Sequence, residues 1–405
     1  MDRKPVITLK PREEDRLMRG HPWVYDNEIA AVDGAPAPGG EVLLKSARGK
    51  FLGSALWSPA SKIRARRYSG LDEPFDRSYV VKRLREALAC RLRHRNLEID
   101  SMRAVFAEAD GLPGLIVDRF VGSHGDARGS WLSVQLLSRG VDERRADILL
   151  ALDEVFAPDG IMERSDAPVR ALEGLAPRSG VAAGLVPDSV VIRENGLDFA
   201  AHIGSGQKTG WFLDQRENRA AAASYAHGRS VLDVFCNQGG FSLACAASGA
   251  SAVLAVDSSA DALASVEENA SLNGLQAVVR AKEANAFDFL REEEKSGRRY
   301  GLVVLDPPAF AKNKASLEGA VRGYKEINLR ALKLLEPGGV LATFSCSFWL
   351  SRERFLDVLD SAAADAALTL RYLEELRQAP DHPVISGYAE SRYLKGCIVE
   401  VVGPR

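Results

Sequence analysis

From Val231 onward the chain repeats one pattern five times: a short run dominated by Val, Leu and Ala, then a longer stretch with helical spacing. The runs are VLDVF (231–235), AVLAVD (252–257), VVRAKEA (278–284), LVVLD (302–306) and VLATFSC (340–346). Strands this short and this apolar must be covered on both faces, and the intervening helices supply the cover. The expectation is a parallel, doubly wound α/β sheet. TLRYLEEL and RYLKGCIVEVV (392–402) read as an antiparallel pair that closes it. Upstream, VVIRE, Asn195-Gly196 and LDFAAHI carry a hairpin signal, because a type I′ turn needs positive φ at both central residues. That hairpin leads into GSGQKTGWFLDQRENR (204–219), a glycine-bearing loop that opens a helix.

A chain of 405 residues is too long for one ordinary domain, and the part upstream of the hairpin divides in two. VITL (6–9), EVLLKS (41–46), FLGSALW (51–57) and KIRARRYS (62–69) read as short strands separated by Gly34, Pro36, Pro38, Gly39 and Gly40. They predict a small β domain over 1–70, then a linker (69–79) and a helix over 79–97. AVFAEA, LIVDRF and WLSVQLL, with a helix near 142–156, predict a central α+β domain over 79–190. The third domain then runs over 191–405, hairpin included. Net charge is −2, but residues 1–70 hold 13 Lys and Arg against 8 Asp and Glu, so +5 here leaves −7 for the rest. Lys62, Arg64, Arg66 and Arg67 supply much of that excess, and a basic appendage on a mildly acidic body suits a polyanionic partner. Five scattered cysteines, without metal-ligand spacing, predict a reducing cytosol with neither disulfides nor a metal site. No apolar run approaches the roughly 18 residues that span a bilayer, so no membrane is expected.

Ligands of open α/β sheets bind beyond the carboxyl ends of the strands, so the residues just past each strand are the informative ones. After the first comes Cys236-Asn237-Gln238-Gly239-Gly240-Phe241, a turn that lets backbone approach a ligand before a helix starts. After the second stands Asp257, placed to accept hydrogen bonds from ribose hydroxyls. The loop lacks the Gly-x-Gly-x-x-Gly of a nicotinamide or flavin enzyme. After the fourth comes Asp306-Pro307-Pro308-Ala309-Phe310, where two prolines leave the strand in one stiff shape and present carbonyls and a carboxylate to a nucleobase. After the fifth comes Cys346, a candidate nucleophile. C5 of a pyrimidine attacks a sulfonium methyl poorly, and thiolate addition at C6 makes it an enamine-like carbon that can.

Eight stretches carry a resemblance almost from end to end: HPWVYDNEI (21–29), EADGLPGLIVDRF (108–120), QKTGWFLDQRENR (207–219), FCNQGGFS (235–242), DPPAFAKNK (306–314), RGYKEIN (322–328), TFSCS (343–347) and DHPV (381–384). In this order they resemble the bacterial 23S rRNA cytosine-5 methyltransferases of the RlmI type. The resemblance implies an N-terminal β domain of the PUA type, a central α+β domain and a Rossmann-like class I methyltransferase domain. It implies S-adenosylmethionine at Phe235, Cys236, Asn237, Gly239, Gly240, Phe241, Asp257, Ser258, Asn285, Ala286, Asp306 and Pro307. Lys208, Thr209, Asp214, Gln215 and Arg216 would cover the cofactor from the other side. Asn285 stands where many relatives have Asp, and its carbonyl would accept from the adenine amino group. Asp306 would hold the cytosine and Cys346 would attack it. Lys62, Arg64, Arg66, Arg67, Arg322, Tyr324 and Lys325 would meet RNA, with 23S rRNA the expected substrate. Relatives often pair, which makes a homodimer an expectation too. Some other RNA cytosine-5 methyltransferases carry a second cysteine after the two prolines; here that position is Ala309, and the base that takes the C5 proton is left without a candidate. A base-nitrogen methyltransferase and a non-catalytic RNA-binding assembly factor on the same fold stay open.

Overall fold

The computed structural model describes residues 4–93, 101–204, 209–311 and 313–405. The chain forms two compact units. The first comprises Met1–Arg193, Ala201–Asp214 and Pro380–Arg392; the second comprises Glu194–Ala200, Gln215–Ala379 and Tyr393–Arg405.

In the first unit, a six-stranded sheet has the order Trp23–Tyr25, Ile63–Ser69, Phe51–Trp57, Glu41–Lys45, Val6–Leu9, Ile29–Asp33. Period-2 alternation turns Ile7, Leu9, Val42, Leu44 and Ala65 into one apolar core. Two of these strands, Trp23–Tyr25 and Ile29–Asp33, are not among those expected from sequence; the first has only three residues, and the second buries no residue fully and lacks that alternation. A second sheet orders Arg178–Gly184, Gly160–Ser165, Ala127–Leu136, Leu115–His124 and Val190–Glu194, with Met102–Phe106 also paired to Leu115–His124. Helices Arg77–Leu92 and Arg145–Phe156 bury Val80, Leu84, Ile148 and Leu152 in the same cluster as Val117, Leu132 and Val134. The first of these helices starts at Arg77, capped by the Asp76 carboxylate accepting from Tyr79 N at 2.9 Å. Positions 94–97 of the expected helix lie outside the described residues.

The expected third domain is not one contiguous segment, because 201–214 and 380–392 group with the first unit. Side-chain bonds account for this. Thr209 Oγ1 donates to the buried Asp118 carboxylate. The Asp381 carboxylate accepts from Arg103 N at 2.9 Å, and its carbonyl accepts from Arg91 Nη2 at 3.0 Å. In the first segment of the second unit, Asn195 and Gly196 have φ of 51° and 87°, the left-handed pair that a type I′ turn demands.

The second unit is an α/β layer. Its strands are β1 (Ser230–Val234), β2 (Ala252–Asp257), β3 (Val279–Glu283), β4 (Tyr300–Leu305), β5 (Leu335–Ser345), β6 (Leu368–Arg377) and β7 (Lys395–Pro404). Its helices are α1 (Arg216–Ala223), α2 (Gly240–Ala247), α3 (Ala260–Leu272), α4 (Ala286–Ser296), α5 (Leu317–Lys333) and α6 (Arg352–Asp365). The sheet order is β3-β2-β1-β4-β5-β7-β6. Strands β1 to β5 are parallel, and β7 runs antiparallel to both β5 and β6. Leu232, Val234, Leu305, Leu341, Phe289, Tyr324 and Phe355 pack between sheet and helices, each contributing about 1.5–3 kcal/mol of apolar burial for the aliphatic and phenyl side chains. β5 starts at Leu335, ahead of the expected Val340, and runs through Glu336-Pro337-Gly338-Gly339, which reads as a turn. A register shift opposite Tyr300–Leu302 absorbs the extra residues. The chain reverses its direction of travel across the sheet at β1, which has β2 on one side and β4 on the other. The carboxyl ends of these strands form the crevice where such sheets hold ligands.

Candidate active site

The loop after β1 is shaped by its backbone. Phe235, Asn237 and Gly239 have φ of 66°, 47° and 80°. The left-handed region is free for glycine and costs an ordinary L residue about 1–2 kcal/mol, so Phe235 is held there by its surroundings. Asp257 at the tip of β2 does part of the holding: Oδ2 accepts from Asn237 N and Oδ1 from Ser259 N, both at 3.0 Å. Asn269 on α3, wholly buried, donates to Gln238 O at 2.9 Å and accepts from Ala200 N at 2.8 Å. Gly239 then caps α2, whose first N–H groups point back over the loop. Beneath the loop lies Asp233, fully buried in β1. Its Oδ2 accepts from Ser242 Oγ at 2.6 Å, while Oδ1 has no partner among the described residues. Burial pushes this carboxyl up to about 7.

The loops after β4 and β5 are tied to each other by side chains. Ala311 N, in the segment just past Asp306-Pro307-Pro308, donates to Ser347 Oγ at 3.1 Å. The buried Tyr324 hydroxyl of α5 bonds Ser345 Oγ at 2.9 Å and Ser347 Oγ at 3.0 Å. Phe310 packs on the Tyr324 ring with centroids 4.7 Å apart. Lys395 of β7, also buried, donates from Nζ to Ser347 O at 2.7 Å, and burial pushes its ammonium down to about 8. Between Ser345 and Ser347 sits Cys346, partly exposed, in contrast to the buried Cys236, Cys245 and Cys397. Burial raises the thiols of those three, which keeps them protonated and inert. Phe348 and Trp349 come next in the chain, 44% and 42% exposed, their rings edge-to-face at 5.3 Å.

The expected site residues fall into three groups. Asp306 and Pro307 at the β4 tip, Asp257 and Ser258 at the β2 tip, and the loop from Phe235 to Gly240 all lie at the carboxyl edge of the sheet. Gln215 and Arg216 are buried at the start of α1, where Gln215 Oε1 accepts from Asn218 Nδ2 at 2.5 Å. Thr209 and Asp214 belong to the first unit, and Lys208 lies outside the described residues.

Three assignments need correction, those of Asn285, Tyr324 and Arg66, and that of Phe241 narrows to its backbone. The Asn285 carbonyl caps α4, accepting from Phe287 N at 3.0 Å and Asp288 N at 3.4 Å, so an adenine would meet its amide N–H₂ instead. Phe241 buries its ring against Phe344 at 5.3 Å, and only its backbone is left for a ligand. Tyr324 is fully buried and serves the two serines, not RNA. Arg66, 8% exposed, is spent on Glu108 at 2.8 Å and Glu173 at 2.9 Å, with Trp23 across its guanidinium. A buried ion pair of this kind belongs to the fold. Lys62 is exposed and Arg64 and Arg67 are half-buried; Arg322 is exposed, and Lys325 pairs with Asp365 at 2.7 Å.

Sequence reasoning missed Asp233, Asn269, Ser347, Lys395 and the Phe348–Trp349 pair. A carboxylate within the apolar VLDVF and two aromatics directly after a candidate nucleophile were the available signals. Among the described residues no cluster of metal-ligating side chains occurs, and no helix is long and apolar enough to cross a membrane.

Residues 181–395 match the family described as S-adenosylmethionine-dependent methyltransferase, and residues 7–70 match the PUA-like domain. Proteins named ribosomal RNA large subunit methyltransferase I are 42% identical in Tolumonas auensis and 40% in Erwinia tasmaniensis, each over 98% of this chain and 99% of theirs. Among solved structures, a candidate SAM-dependent methyltransferase from Streptococcus mutans superposes with a TM-score of 0.82 over 98% of this chain and all of its own, at 22% identity. SMU.776, a candidate methyltransferase solved with SAH, gives 0.84 over the same shares, also at 22%.

Proposed function

The chain belongs to the ribosomal RNA large subunit methyltransferase I family, and from that premise we propose that it makes 5-methylcytosine in 23S rRNA through a covalent adduct of Cys346. The observation that carries the reading is a single partly exposed cysteine at the carboxyl end of β5, tied through Ser347 to the Asp306-Pro307-Pro308 loop. A base-nitrogen methyltransferase needs the acceptor loop but has no use for a thiol there.

The residues present fit S-adenosylmethionine. The fixed left-handed loop offers backbone N–H groups, and Asp257 keeps acceptor lone pairs beyond the two it spends on Asn237 and Ser259. Asp233 Oδ1 is a buried acceptor without a partner among the described residues, the kind of atom that a bound ammonium or N–H would satisfy. When bound, the cofactor supplies an electrophilic methyl group on sulfonium sulfur. Asp306 and the proline carbonyls hold the cytosine edge. The Cys346 thiolate then forms a bond to C6, the C5–C6 π electrons move onto C5, and C5 becomes the atom that accepts the methyl. Loss of the C5 proton to a base restores the double bond and expels the thiolate. Phe348 and Trp349 offer ring faces on which unpaired bases beside the target stack, and Lys62 and Arg64 contribute phosphate contacts. A cytosolic location goes with this reading, and a homodimer is tested by sedimentation of the purified chain.

The test is a 23S rRNA fragment containing 5-fluorocytidine, whose C5 fluorine cannot leave as a proton. Wild-type chain with S-adenosylmethionine should give a protein–RNA adduct that survives a denaturing gel, and Cys346→Ser should give none. Methylation of ordinary RNA without any adduct would establish the base-nitrogen reading instead.

A further inference from the structure

Lys395 stands on β7 directly opposite Ser345 of β5. The strand around it, KGCIVEVV, is almost wholly apolar and lies between β5 and β6, so Lys395 occupies an interior place in the sheet. It is 8% exposed. Its ammonium has one hydrogen bond, to the Ser347 carbonyl at 2.7 Å, and among the described residues no carboxylate forms an ion pair with it. A buried ammonium in that condition costs several kcal/mol, which an apolar residue at the same place would avoid. The lysine's bond to Ser347 and its pairing with Ser345 bracket Cys346, the residue between them, so the ammonium lies beside the thiol's place in the chain. On the α5 side, the titratable group near the thiol is Tyr324, whose hydroxyl burial holds in its neutral form. Among the described residues of α5, β5 and β7, Lys395 thus places a positive charge beside the position of Cys346.

We propose that Lys395 is the positioning residue for the nucleophile: its ammonium, fixed by the Ser347 carbonyl, holds Cys346 as a thiolate ready to add to C6. This rests on the reading of Cys346 as the attacking group. The thiol proton leaves to solvent through the exposed side of Cys346, and below about pH 8, where Lys395 keeps its own proton, the pair carries one negative and one positive charge. When the S–C6 bond forms, the negative charge passes to the pyrimidine and is neutralised as C5 takes the methyl. When a base then removes the C5 proton, the C5–H electrons restore the double bond and the C6–S bond breaks, which puts a negative charge back on sulfur beside the same ammonium. A nearby fixed cation favours the thiolate, the nucleophilic form.

The full-length chain tests this without turnover. Alkylation of Cys346 by iodoacetamide is monitored by peptide mass spectrometry between pH 6 and 9.5. In wild type, half-maximal reactivity should fall below the ordinary thiol value of about 8.5. A midpoint at or above that value overturns the proposal, and this measurement needs no variant. Lys395→Met should slow Cys346 alkylation at pH 7 about tenfold and move the midpoint upward, with S-adenosylmethionine affinity unchanged. Lys395→Arg should restore most of the rate, since it returns the charge. In turnover, Lys395→Met should lower kcat while leaving KM for RNA in place. A Lys395→Met chain that binds cofactor normally but alkylates with the wild-type profile would reduce the lysine to packing. Failure of the underlying reading looks different, because Cys346→Ser would then stay active whatever the alkylation profile of wild type.

Discussion

The tips of β1 and β5 lie on one edge of the same sheet and are built by opposite means. At β1 the backbone is fixed: three left-handed residues within five positions, pinned by Asp257 and Asn269 through main-chain N–H and C=O groups. At β5 side chains do the fixing, with Tyr324, Ser345, Ser347 and Lys395 bound to one another around a cysteine left partly open. A loop that wraps a ligand needs rigid backbone donors and tolerates many side chains. A loop that attacks needs one reactive atom within reach and its neighbours immobile.

The contrast between the two tips breaks most visibly at sulfur. Cys346→Ser should cut turnover by on the order of a thousandfold or more while leaving cofactor affinity within about twofold by calorimetry. Equal losses of both would merge the two tips into one site. Next is Asp233→Asn, which probes what lies under the β1 loop. The Asp233 carboxyl has its ordinary value of 3.8 in the unfolded chain and about 7 when folded, so stability present in acid is lost as pH climbs through that window. Asparagine does not titrate. Its stability relative to wild type should therefore rise by about 2–4 kcal/mol between pH 4 and pH 8, read from thermal unfolding at each pH, and stay level above. A difference that does not move with pH would mean the carboxyl carries no such load. Asp257→Ala removes both a loop pin and a ligand acceptor, and should weaken S-adenosylmethionine by about 1–3 kcal/mol with little change in kcat at saturating cofactor. The smallest effect belongs to Ser347→Ala, which unties the β4 and β5 loops. About a tenfold fall in kcat, with cofactor affinity intact, is expected from a few tenths of an ångström of freedom at the thiol; a change in cofactor affinity instead would show that the tips are mechanically coupled.

Much of this edge was legible in sequence because it depends on local rules. Short Val/Leu runs with helices between them fix a parallel sheet, and order along such a sheet places Asp257, Asp306 and Cys346 at strand ends. What stayed hidden depends on partners far away in the chain. Arg66 reads as a free cation until Glu108 and Glu173 are brought to it, and Tyr324 reads as a surface aromatic until Ser345 and Ser347 claim its hydroxyl. Asn285 reads as an acceptor for an adenine amino group until its carbonyl is seen to cap α4, since a side chain at a helix start caps before it binds. Lys395 stands in a run that reads only as a closing strand, and nothing local marks it as the neighbour of Cys346.

The place of β7 in the sheet also governs how the protein comes into being. The chain finishes β6 at Arg377, spends residues 380–392 in the first unit, and only then lays β7 between β5 and β6. During synthesis, β5 and β6 therefore wait with open edges, each a template for pairing with another molecule. A chain halted before Lys395 would possess the methyl-donor loop and the thiol but would lack an inner strand of its own sheet. Assembly order thus leaves the tip of β5 unfinished to the end: Ser347 gains its bond to Lys395 only when β7 has docked between β5 and β6.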